Sequence, residues 1–177
     1  MLRDGRGWQF TLREVARRAG VSHAAPYKHF PDKAALLSEL AARGYRHLQE
    51  DLIAALAPER RGSARARAIA VAKAYLDFGR GNPSLYELMF SSEIDKSCEA
   101  SVREASSAVF ALIVDILTRG QQAGEFKAVP VEGQAAALWS LLHGLTVLER
   151  GRRLPPSEGG LMPIDATIAS LLQGLDA

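Results

Sequence analysis

The chain has 177 residues with a formal net charge of +2, and 47% of the residues are hydrophobic and 24% charged. These proportions are those of an ordinary globular protein, so they exclude a disordered, collagen-like or disulfide-stapled chain. The single cysteine, Cys98, excludes an intrachain disulfide and a multi-cysteine metal site. No apolar leader is visible before residue 11, and the longest apolar stretch, 135–148, is too short to span a bilayer. We therefore expect a cytoplasmic protein with no membrane contact.

Charge is unevenly distributed along the chain. Residues 1–50 contain nine Arg or Lys and five Asp or Glu, whereas residues 51–177 contain thirteen and fifteen. A basic segment followed by a slightly acidic one favours a polyanionic partner at the N-terminal end. An excess of this size also occurs on solvated surfaces, so charge alone leaves both interpretations open.

The hydrophobic periodicity is helical throughout, and no segment alternates with the period of a strand. The first helix begins at a capping box, in which the side chains of Thr11 and Glu14 satisfy each other's backbone donors. Gly20 is suited to end this helix in a left-handed conformation. Ser22 is suited to cap a second short helix, which extends to about His29.

A third, longer helix follows the break at residues 30–31. Asp32 caps this helix, Pro58 ends it, and one apolar stripe runs along it. The members of the stripe are Leu36, Leu37, Leu40, Tyr45, Leu48, Leu52 and Leu56. Such a stripe predicts burial of one face along the whole helix.

Five more helices are predicted, at about 64–80, 83–90, a longer one that runs to 123, 132–150 and 165–175. Asn82 as cap and Pro83 as first helical residue suit the second of these. Six of the 13 residues in 151–163 are Gly or Pro, which predicts a loop. The fold class is therefore all-α, with an N-terminal head in residues 1–58 and a helical bundle in residues 59–177.

Residues 11–30 have the order helix, Gly-Val-Ser turn, helix, which is that of a helix-turn-helix. The residues that can form its small core are Val15, Ala16, Ala19, Val21 and Tyr27 or Phe30. The second helix then presents His23, Ala24, Ala25 and Lys28, of which His23 and Lys28 can donate to base edges. Donors near helix ends, suited to phosphates, are Thr11, Ser22, Tyr27, His29 and Lys33. The competing interpretation is a helical hairpin with a solvated face.

These residues resemble the N-terminal signature of TetR-type transcriptional regulators. The matching segments are Thr11–Ala16, Ala19–Ser22, Tyr27–Phe30, Asp32-Lys33 and Leu36-Leu37. The resemblance implies an all-helical homodimer in which each subunit offers one recognition helix and a ligand-sensing C-terminal domain controls their separation. It makes residues 1–58 the helix-turn-helix DNA-binding head and residues 59–177 the ligand-sensing and dimerisation domain. On the matching positions it makes residues 23–29 the recognition helix and implies that Tyr27 and Lys33 contact phosphates.

The later chain is similar to the sensor domain of one subgroup of that family, which is named for a Trp-His-Gly element. The similar segments are Asn82–Phe90 and Leu138–Leu145, with the element distributed as Trp139, His143 and Gly144. Members of the family usually carry a complete helix before the Thr-Leu-Arg-Glu segment, whereas ten residues precede Thr11 here. Because residues 4–7 form helix poorly, either the start is truncated or the head is reduced, with Trp8 and Phe10 covering part of its core.

The helix over 132–150 is apolar nearly all round, and such a helix must be covered on every side. We expect one side to face its own subunit and another to face a partner subunit. The final helix, 165–175, is the expected companion, so the sequence predicts a homodimer through these two helices. The alternative is that the final helix closes the core of the monomer.

A pocket for an unknown small-molecule effector is predicted among aromatic and polar residues of the apolar helices. The candidates are Tyr75, Phe78, Tyr86, Met89, Phe90, Trp139 and His143. An apolar cavity with a few polar groups is the general form of such a site. Alternatively, the aromatic side chains are ordinary core and His143 is a hydrogen-bonded core histidine.

Enzymatic and metal chemistry have little support. The four histidines form no His-Glu-x-x-His or Glu-x-x-His pair, and no Gly-Lys-Ser/Thr phosphate loop occurs. Neither Ser22 nor Ser140 has a recognisable nucleophile context. We therefore expect no catalytic residue, no metal and no cofactor.

Together these features predict a ligand-responsive, DNA-binding transcriptional regulator: a repressor released from a double-stranded DNA operator by a small apolar effector. Two alternatives stay open at the level of sequence. One is a helical small-molecule-binding or interaction protein whose shortened head no longer binds DNA. The other is an enzyme built on a helical bundle, which would need convergent ionisable groups around His143.

Overall fold

A computed structural model describes residues 10–59, 61–94, 100–154 and 164–175. Within these ranges the regular structure is seven α-helices and one short 3₁₀ helix, with no β-strand. The helices are α1 (Leu12–Ala19), α2 (Lys33–Leu56), α3 (Ala64–Gly81), α4 (Pro83–Met89), α5 (Ala100–Gln122), α6 (Val131–Arg150) and α7 (Ile164–Leu175), and the 3₁₀ helix spans Pro26–Lys28. The all-α class is confirmed, and the bounds predicted for α3, α4, α6 and α7 and the end of α5 agree within one residue. The residues at 4–8, Cys98 and the 155–163 part of the predicted loop lie outside the described residues.

The long helix α2 begins and ends as predicted. The Asp32 carboxylate accepts a hydrogen bond of 2.8 Å from the backbone N–H of Ala35, which caps the helix. The last helical residue is Leu56, and Pro58 lies in the turn that follows. The predicted stripe is buried or half-buried along its whole length.

The chain packs into two compact units, one of which consists of the described residues of Met1–Arg46 and Ser84–Ser106. In this unit Gly44 of α2 lies close to Met89 of α4, because a Cβ atom at Gly44 would lie 2.7 Å from Met89 Sδ. The Tyr45 hydroxyl donates a buried hydrogen bond of 2.9 Å to the carbonyl of Met89. The end of α4 is therefore fixed on the same unit as the helix-turn-helix.

The other unit consists of His47–Pro83 and the described residues of Ser107–Ala177, and in it α3 packs against α6 and α7. Gly79 permits the close approach of α3 to α6, because a Cβ atom there would collide with Thr146 Cγ2. Arg80 extends the same contact at the surface: its guanidinium donates to both carboxylate oxygens of Glu149. Hydrogen bonding to Glu149 raises the pKa of Arg80.

The chain passes from α3 to α4 through Asn82 and Pro83. Pro83 is the first residue of α4, as predicted. Asn82, predicted as the cap of α4, directs its side-chain N–H to the carbonyl of Phe78 at 3.2 Å, and its backbone N–H donates to the same oxygen. Its side chain thus adds a second hydrogen bond to a carbonyl in the last turn of α3.

Within the described ranges, none of the helices is long and apolar enough to cross a membrane. The division into two units is one of packing, and the functional boundary between residues 1–58 and 59–177 stays a prediction.

Candidate nucleic-acid interface

Helix α1 begins at the predicted capping box. The backbone N–H of Thr11 donates to Glu14 Oε2 at 2.7 Å, and the backbone N–H of Glu14 donates to Thr11 Oγ1 at 3.2 Å. The Thr11 hydroxyl also donates to Glu14 Oε2 at 3.1 Å. These bonds hold the pKa of Glu14 below its ordinary value. Glu14 is the only acidic residue in residues 11–30, and its carboxylate is engaged in these hydrogen bonds.

The turn after α1 is a left-handed stop at Gly20, whose φ is 69°. Gly20 N–H donates to the carbonyl of Arg17, and Val21 N–H donates to the carbonyl of Ala16 at 3.1 Å. This pair of bonds is the Schellman arrangement, which glycine favours because it has no Cβ. The stop predicted at Gly20 is confirmed, and it fixes the angle at which the chain leaves α1.

The second half of the helix-turn-helix differs from the prediction of an α-helix from Ser22 to about His29. The segment winds through turns into the 3₁₀ helix Pro26–Lys28. Its bonds are mainly of the i to i+3 type, as from Ala25 N–H to the Ser22 carbonyl at 3.0 Å. Pro26 explains the difference, because it has no N–H to donate to the Ser22 carbonyl in an α-helical bond. Residues 22–29 therefore form a tighter turn, which we call the recognition turn after the recognition helix predicted there.

The small core of this segment also differs from the prediction. The buried residues of α1 are Leu12 and Ala16, with Val15 half-buried. Ala19 and Val21, both predicted as core, are exposed, and 49% of Val21 is accessible. Both residues lie at the Gly20 stop, where the chain turns away from the buried face of α1. The contact between the two halves therefore rests on fewer residues than predicted.

Most of the predicted DNA-contacting residues are accessible. The exposed ones are Thr11, Ser22, His23, Ala24, Tyr27, Lys28 and His29. Ala25 and Lys33 are half-buried. The Lys33 ammonium lies 5.4 Å from the centre of the Phe10 ring, a distance at which a cation is attracted to the aromatic face. This contact orients Lys33 at the start of α2.

Three exposed arginines of α1 were not among the predicted contacts: Arg13, Arg17 and Arg18. Arg13 and Arg17 are four residues apart and thus lie on one side of the helix, where like charges repel. Within the part of the chain that the structure describes, neither forms an ion pair. The i, i+4 spacing of these two arginines was the sequence signal that could have found them. They add positive charge beside the recognition turn.

The predicted effector-pocket residues fall into two groups. Tyr75, Phe78, Trp139 and His143 belong to the unit that contains α3 and α6. The indole N–H of Trp139 donates to the Tyr75 hydroxyl at 3.0 Å, and the Trp139 ring stacks on Phe110 at 5.4 Å. Tyr75 and Phe78 are buried, whereas Trp139 and His143 are half-buried. Phe110 also belongs to this aromatic cluster, and it was not among the predicted pocket residues.

The second group, Tyr86, Met89 and Phe90, belongs to the unit that contains the helix-turn-helix. The rings of Tyr86 and Phe90 are 4.8 Å apart, and Phe90 also meets the edge of Tyr45 at 5.8 Å. Burial raises the pKa of the Tyr45 phenol, so this hydroxyl stays protonated and donates to Met89. This group forms an aromatic cluster around α4.

No three His, Cys, Asp or Glu side chains in residues 10–59, 61–94, 100–154 and 164–175 are grouped closely enough to hold a metal ion. The chemistry that these residues offer is therefore that of hydrogen-bond donation and positive charge on the helix-turn-helix, and of aromatic contact in the helical bundle.

An N-terminal helix-turn-helix joined to a helical C-terminal part is the arrangement of a class of bacterial regulatory proteins, and comparison with known proteins identifies the family. The family model described as "Bacterial regulatory proteins, tetR family" matches residues 4–40, and "Tetracyclin repressor-like, C-terminal domain" matches residues 68–173. The uncharacterized HTH-type transcriptional regulator YobS of Bacillus subtilis (strain 168) is 30% identical over 165 residues, which are 93% of this chain and 81% of YobS. The chain belongs to the TetR family.

Solved structures share the fold of this chain. A protein of unknown function from Rhodococcus sp. RHA1 is 34% identical, with a TM-score of 0.86, and the match covers 99% of this chain and 89% of that one. A regulatory protein of the tetR family from Rhodococcus RHA1 is 21% identical, with a TM-score of 0.73 and coverage of 95% and 87%. The TetR family regulator PfmR of Thermus thermophilus is 20% identical, with a TM-score of 0.71 and coverage of 95% and 90%. At these identities the last two show the fold. The resemblance found in the sequence is thus confirmed for the family, and the Trp-His-Gly subgroup stays a prediction.

Proposed function

We propose that the chain is a homodimeric transcriptional regulator that acts in the cytoplasm without enzymatic activity, as a repressor that a small, largely apolar effector releases from its DNA operator. One observation supports DNA binding above the alternatives. Residues 11–30 contain four Arg or Lys, two His and one acidic residue, Glu14. The carboxylate of Glu14 already accepts hydrogen bonds from Thr11. An exposed surface of this composition on a helix-turn-helix is suited to the phosphates and base edges of a duplex.

In this proposal the recognition turn enters the major groove. Lys28 and His23 donate to base edges, and Ala24 allows close approach to the groove floor. Tyr27 and His29 donate to phosphates, as do Ser22 and Lys33. Thr11, also predicted as a contact, acts by starting α1, because both of its donors bond Glu14. Arg13 and Arg17 extend the phosphate contacts along α1.

The proposed dimer forms through α6 and α7. Two large apolar side chains near the end of α6 are accessible in the single chain: Val147 is 42% and Leu148 38% exposed. Small exposed residues precede them on the same helix, at Ala136, Ala137 and Ser140. Neighbouring apolar and small residues on an accessible helix face suit close packing against a symmetry-related copy.

A pair of matched variants tests the dimer. Val147→Asp places a charge in the proposed interface, and we expect dissociation to monomers together with a loss of operator affinity. Val129→Asp is the control, because Val129 is 46% exposed but lies in the loop before α6. Sedimentation velocity distinguishes the two, and a dimer that survives Val147→Asp contradicts the proposed interface.

The proposed effector contacts the aromatic cluster of Tyr75, Phe110 and Trp139, with His143 nearby in sequence on α6. Trp139 is half-buried and hydrogen-bonded, so its fluorescence should report a ligand that displaces water or changes the bond to Tyr75. Tyr86, Met89 and Phe90 stay candidates on the other unit. The variant Trp139→Phe provides the control for a fluorescence change that arises elsewhere.

The function is tested by footprinting the purified dimer on the DNA upstream of its own coding sequence. We expect protection of two half-sites about 10 base pairs apart, or a multiple of that spacing, because two recognition turns must reach successive major grooves. Release of the footprint by an added small molecule supports the effector model. Absence of protection from every duplex at low salt contradicts DNA binding and favours the small-molecule-binding alternative.

A further inference from the structure

Arg67 on α3 is a half-buried arginine that no side chain of the described residues neutralises. Its residue surface is half-buried, and its Nε atom is fully buried without a hydrogen-bond partner. Within the part of the chain that the structure describes, Arg67 forms no ion pair with any side chain. Two other arginines of the same unit differ in this respect, since Arg80 pairs with Glu149 and Arg119 pairs with Asp115.

The carboxylate of Glu125, which lies at the start of α3, does not pair with Arg67. Glu125 Oε1 accepts from the backbone N–H of Ala64 at 3.0 Å, and Glu125 Oε2 accepts from the backbone N–H of Arg65 at 3.3 Å. Both oxygens therefore satisfy donors in the first turn of the helix, which have no intrahelical partner. Among residues 10–59, 61–94, 100–154 and 164–175, a carboxylate thus pairs with the backbone at this end of α3 and none pairs with the guanidinium of Arg67.

A guanidinium cannot escape this situation by losing its proton, because arginine stays protonated in proteins. A buried charge without a partner destabilises a fold, whereas the same charge paired with an anion is tolerated. Arg67 thus has the properties of a residue whose partner is supplied from outside the single chain. The surroundings along α3 indicate what kind of partner this is.

Arg67 stands at the end of an apolar and aromatic stripe on α3. Val71, Tyr75 and Phe78 follow it at steps of four, four and three residues, and all three are buried. Eight residues of helix place Tyr75 about 12 Å from Arg67 along the helix axis. Trp139 donates to the Tyr75 hydroxyl, so the aromatic cluster lies at the far end of this span.

We propose that the effector is an amphipathic monoanion, a carboxylate with an apolar body, and that Arg67 binds its carboxylate. The guanidinium donates two parallel hydrogen bonds to the two carboxylate oxygens, and the apolar body extends along α3 towards Tyr75 and Trp139. This inference rests on the proposed effector control and defines the chemical class of that effector. The competing partner, a carboxylate from a second copy of the chain, is an outcome of the tests below.

The first test measures the ligand-free protein and uses no DNA, so a failure to bind an operator does not affect it. Arg67→Met keeps the length of the side chain and removes the unpaired charge. We expect the thermal midpoint of the ligand-free dimer to rise by roughly 2–4 °C, which is the shift for a small gain in a protein of this size. Arg119→Met is the matched control, because it removes an exposed arginine that is already paired, and its midpoint should stay level or fall.

The second test measures binding of sodium butyrate, octanoate, decanoate and phenylacetate, with 1-octanol as the uncharged probe, by titration calorimetry on the full-length dimer. We expect at least one carboxylate to bind wild type about tenfold or more tightly than Arg67→Met, since a charge-assisted hydrogen bond is lost. The affinity for 1-octanol should be equal in the two proteins, and Arg119→Met should bind like wild type.

Three results would overturn the proposal. The first is that Arg67→Met lowers the thermal midpoint of the ligand-free dimer, which would show that the charge already has a stabilising partner. The second is that no carboxylate in the series distinguishes wild type from Arg67→Met. The third is that Arg67→Met dissociates the dimer in sedimentation velocity, which would assign the partner of Arg67 to the other subunit.

Discussion

The basic residues of the helix-turn-helix make a quantitative prediction about salt. Four cations are placed to contact phosphates or base edges in each subunit: Arg13, Arg17, Lys28 and Lys33. A dimer doubles this number, so a substitution in the gene removes two contacts from each complex. The dependence of DNA affinity on salt therefore measures the role of each residue with twice the sensitivity of a monomer.

The size of the effect follows from counterion release. The logarithm of the binding constant changes with the logarithm of salt concentration with a slope of about −0.9 for each phosphate contacted. If Arg13, Arg17 and Lys33 contact phosphates in both subunits while Lys28 contacts bases, the wild-type slope is about −5, and affinity falls by about three orders of magnitude between 50 and 200 mM salt. Arg17→Ala should make the slope less steep by about 2 and weaken binding at 0.1 M salt by up to roughly 50-fold.

The assay is fluorescence anisotropy on a 30-base-pair duplex of random sequence and on the footprinted region, at several salt concentrations. Arg13→Ala and Arg17→Ala should weaken both duplexes alike, because phosphates carry no sequence information. Lys28→Ala should mainly reduce the preference for the footprinted region, because this residue is assigned to base edges. Arg119→Ala is the control: its arginine is exposed and paired with Asp115 on α5, so neither slope should change.

The assignment of Arg13 and Arg17 is refuted if wild type binds the duplex and both variants keep the wild-type slope within error. Equal effects of Lys28→Ala on both duplexes would refute the separate role of Lys28 in base recognition. Either result leaves the fold of α1 unquestioned, because both arginines are exposed and make no ion pair among the described residues.

Two further predictions concern stability. Thr11→Ala should lower the free energy of unfolding by about 1 kcal/mol through loss of the N-cap. Because the pKa of Glu14 is lowered in the folded chain, its stabilising effect is complete above the ordinary value of 4.5 and is lost as pH falls through the lowered pKa. In urea titrations, wild type should therefore lose more stability than Glu14→Gln between about pH 5 and 3. Equal losses in the two proteins would contradict this prediction. Gly79→Ala should destabilise by about 1–3 kcal/mol, because its methyl group collides with Thr146, whereas Gly133→Ala, with nothing within 4 Å, should be neutral or slightly stabilising in the same titration.

The features that the sequence predicted correctly are those fixed by local chemistry. The capping box of Thr11 and Glu14, the left-handed stop at Gly20 and the cap at Asp32 each depend on residues within a few positions of one another. Helix periodicity is equally local, which explains why the bounds of α3 and α6 were predicted within one residue. Family membership followed from the same short segments.

The features that the sequence did not predict depend on competition between two helix types or on contacts between residues far apart in the sequence. Pro26 lies inside the segment predicted as an α-helix, and its missing N–H decides between an α-helix and a 3₁₀ helix in a segment this short. Glu125 accepts a hydrogen bond from the first residue of α3, which is 61 residues away in the sequence. Trp139 donates to Tyr75, which is 64 residues away. No periodicity encodes such pairs. The unpaired state of Arg67 also became visible only once the partners of the surrounding charges were known.

Tyr45 offers a prediction about how α4 is held on the unit that contains the helix-turn-helix. Its ring is fully buried, and its hydroxyl donates to the carbonyl of Met89, the last residue of α4. A carbonyl in the last turn of a helix has no intrahelical donor, so Tyr45 satisfies a group that is otherwise buried and unpaired. Tyr45→Phe keeps the ring contact with Phe90 and removes only this bond.

The cost of Tyr45→Phe should therefore exceed that of an ordinary hydrogen bond. Leaving a buried acceptor unsatisfied costs about 1–3 kcal/mol, which corresponds to a fall in the thermal midpoint of about 2–4 °C for each kcal/mol in a protein of this size. The alkaline limb of the stability curve gives an independent readout. Because the pKa of the Tyr45 phenol is raised in the folded chain, its contribution is complete below the ordinary value of 10.0 and is lost as pH rises towards the raised pKa. Wild type should lose more stability than Tyr45→Phe above about pH 10, and identical alkaline limbs would show that this hydroxyl is not held as a buried donor.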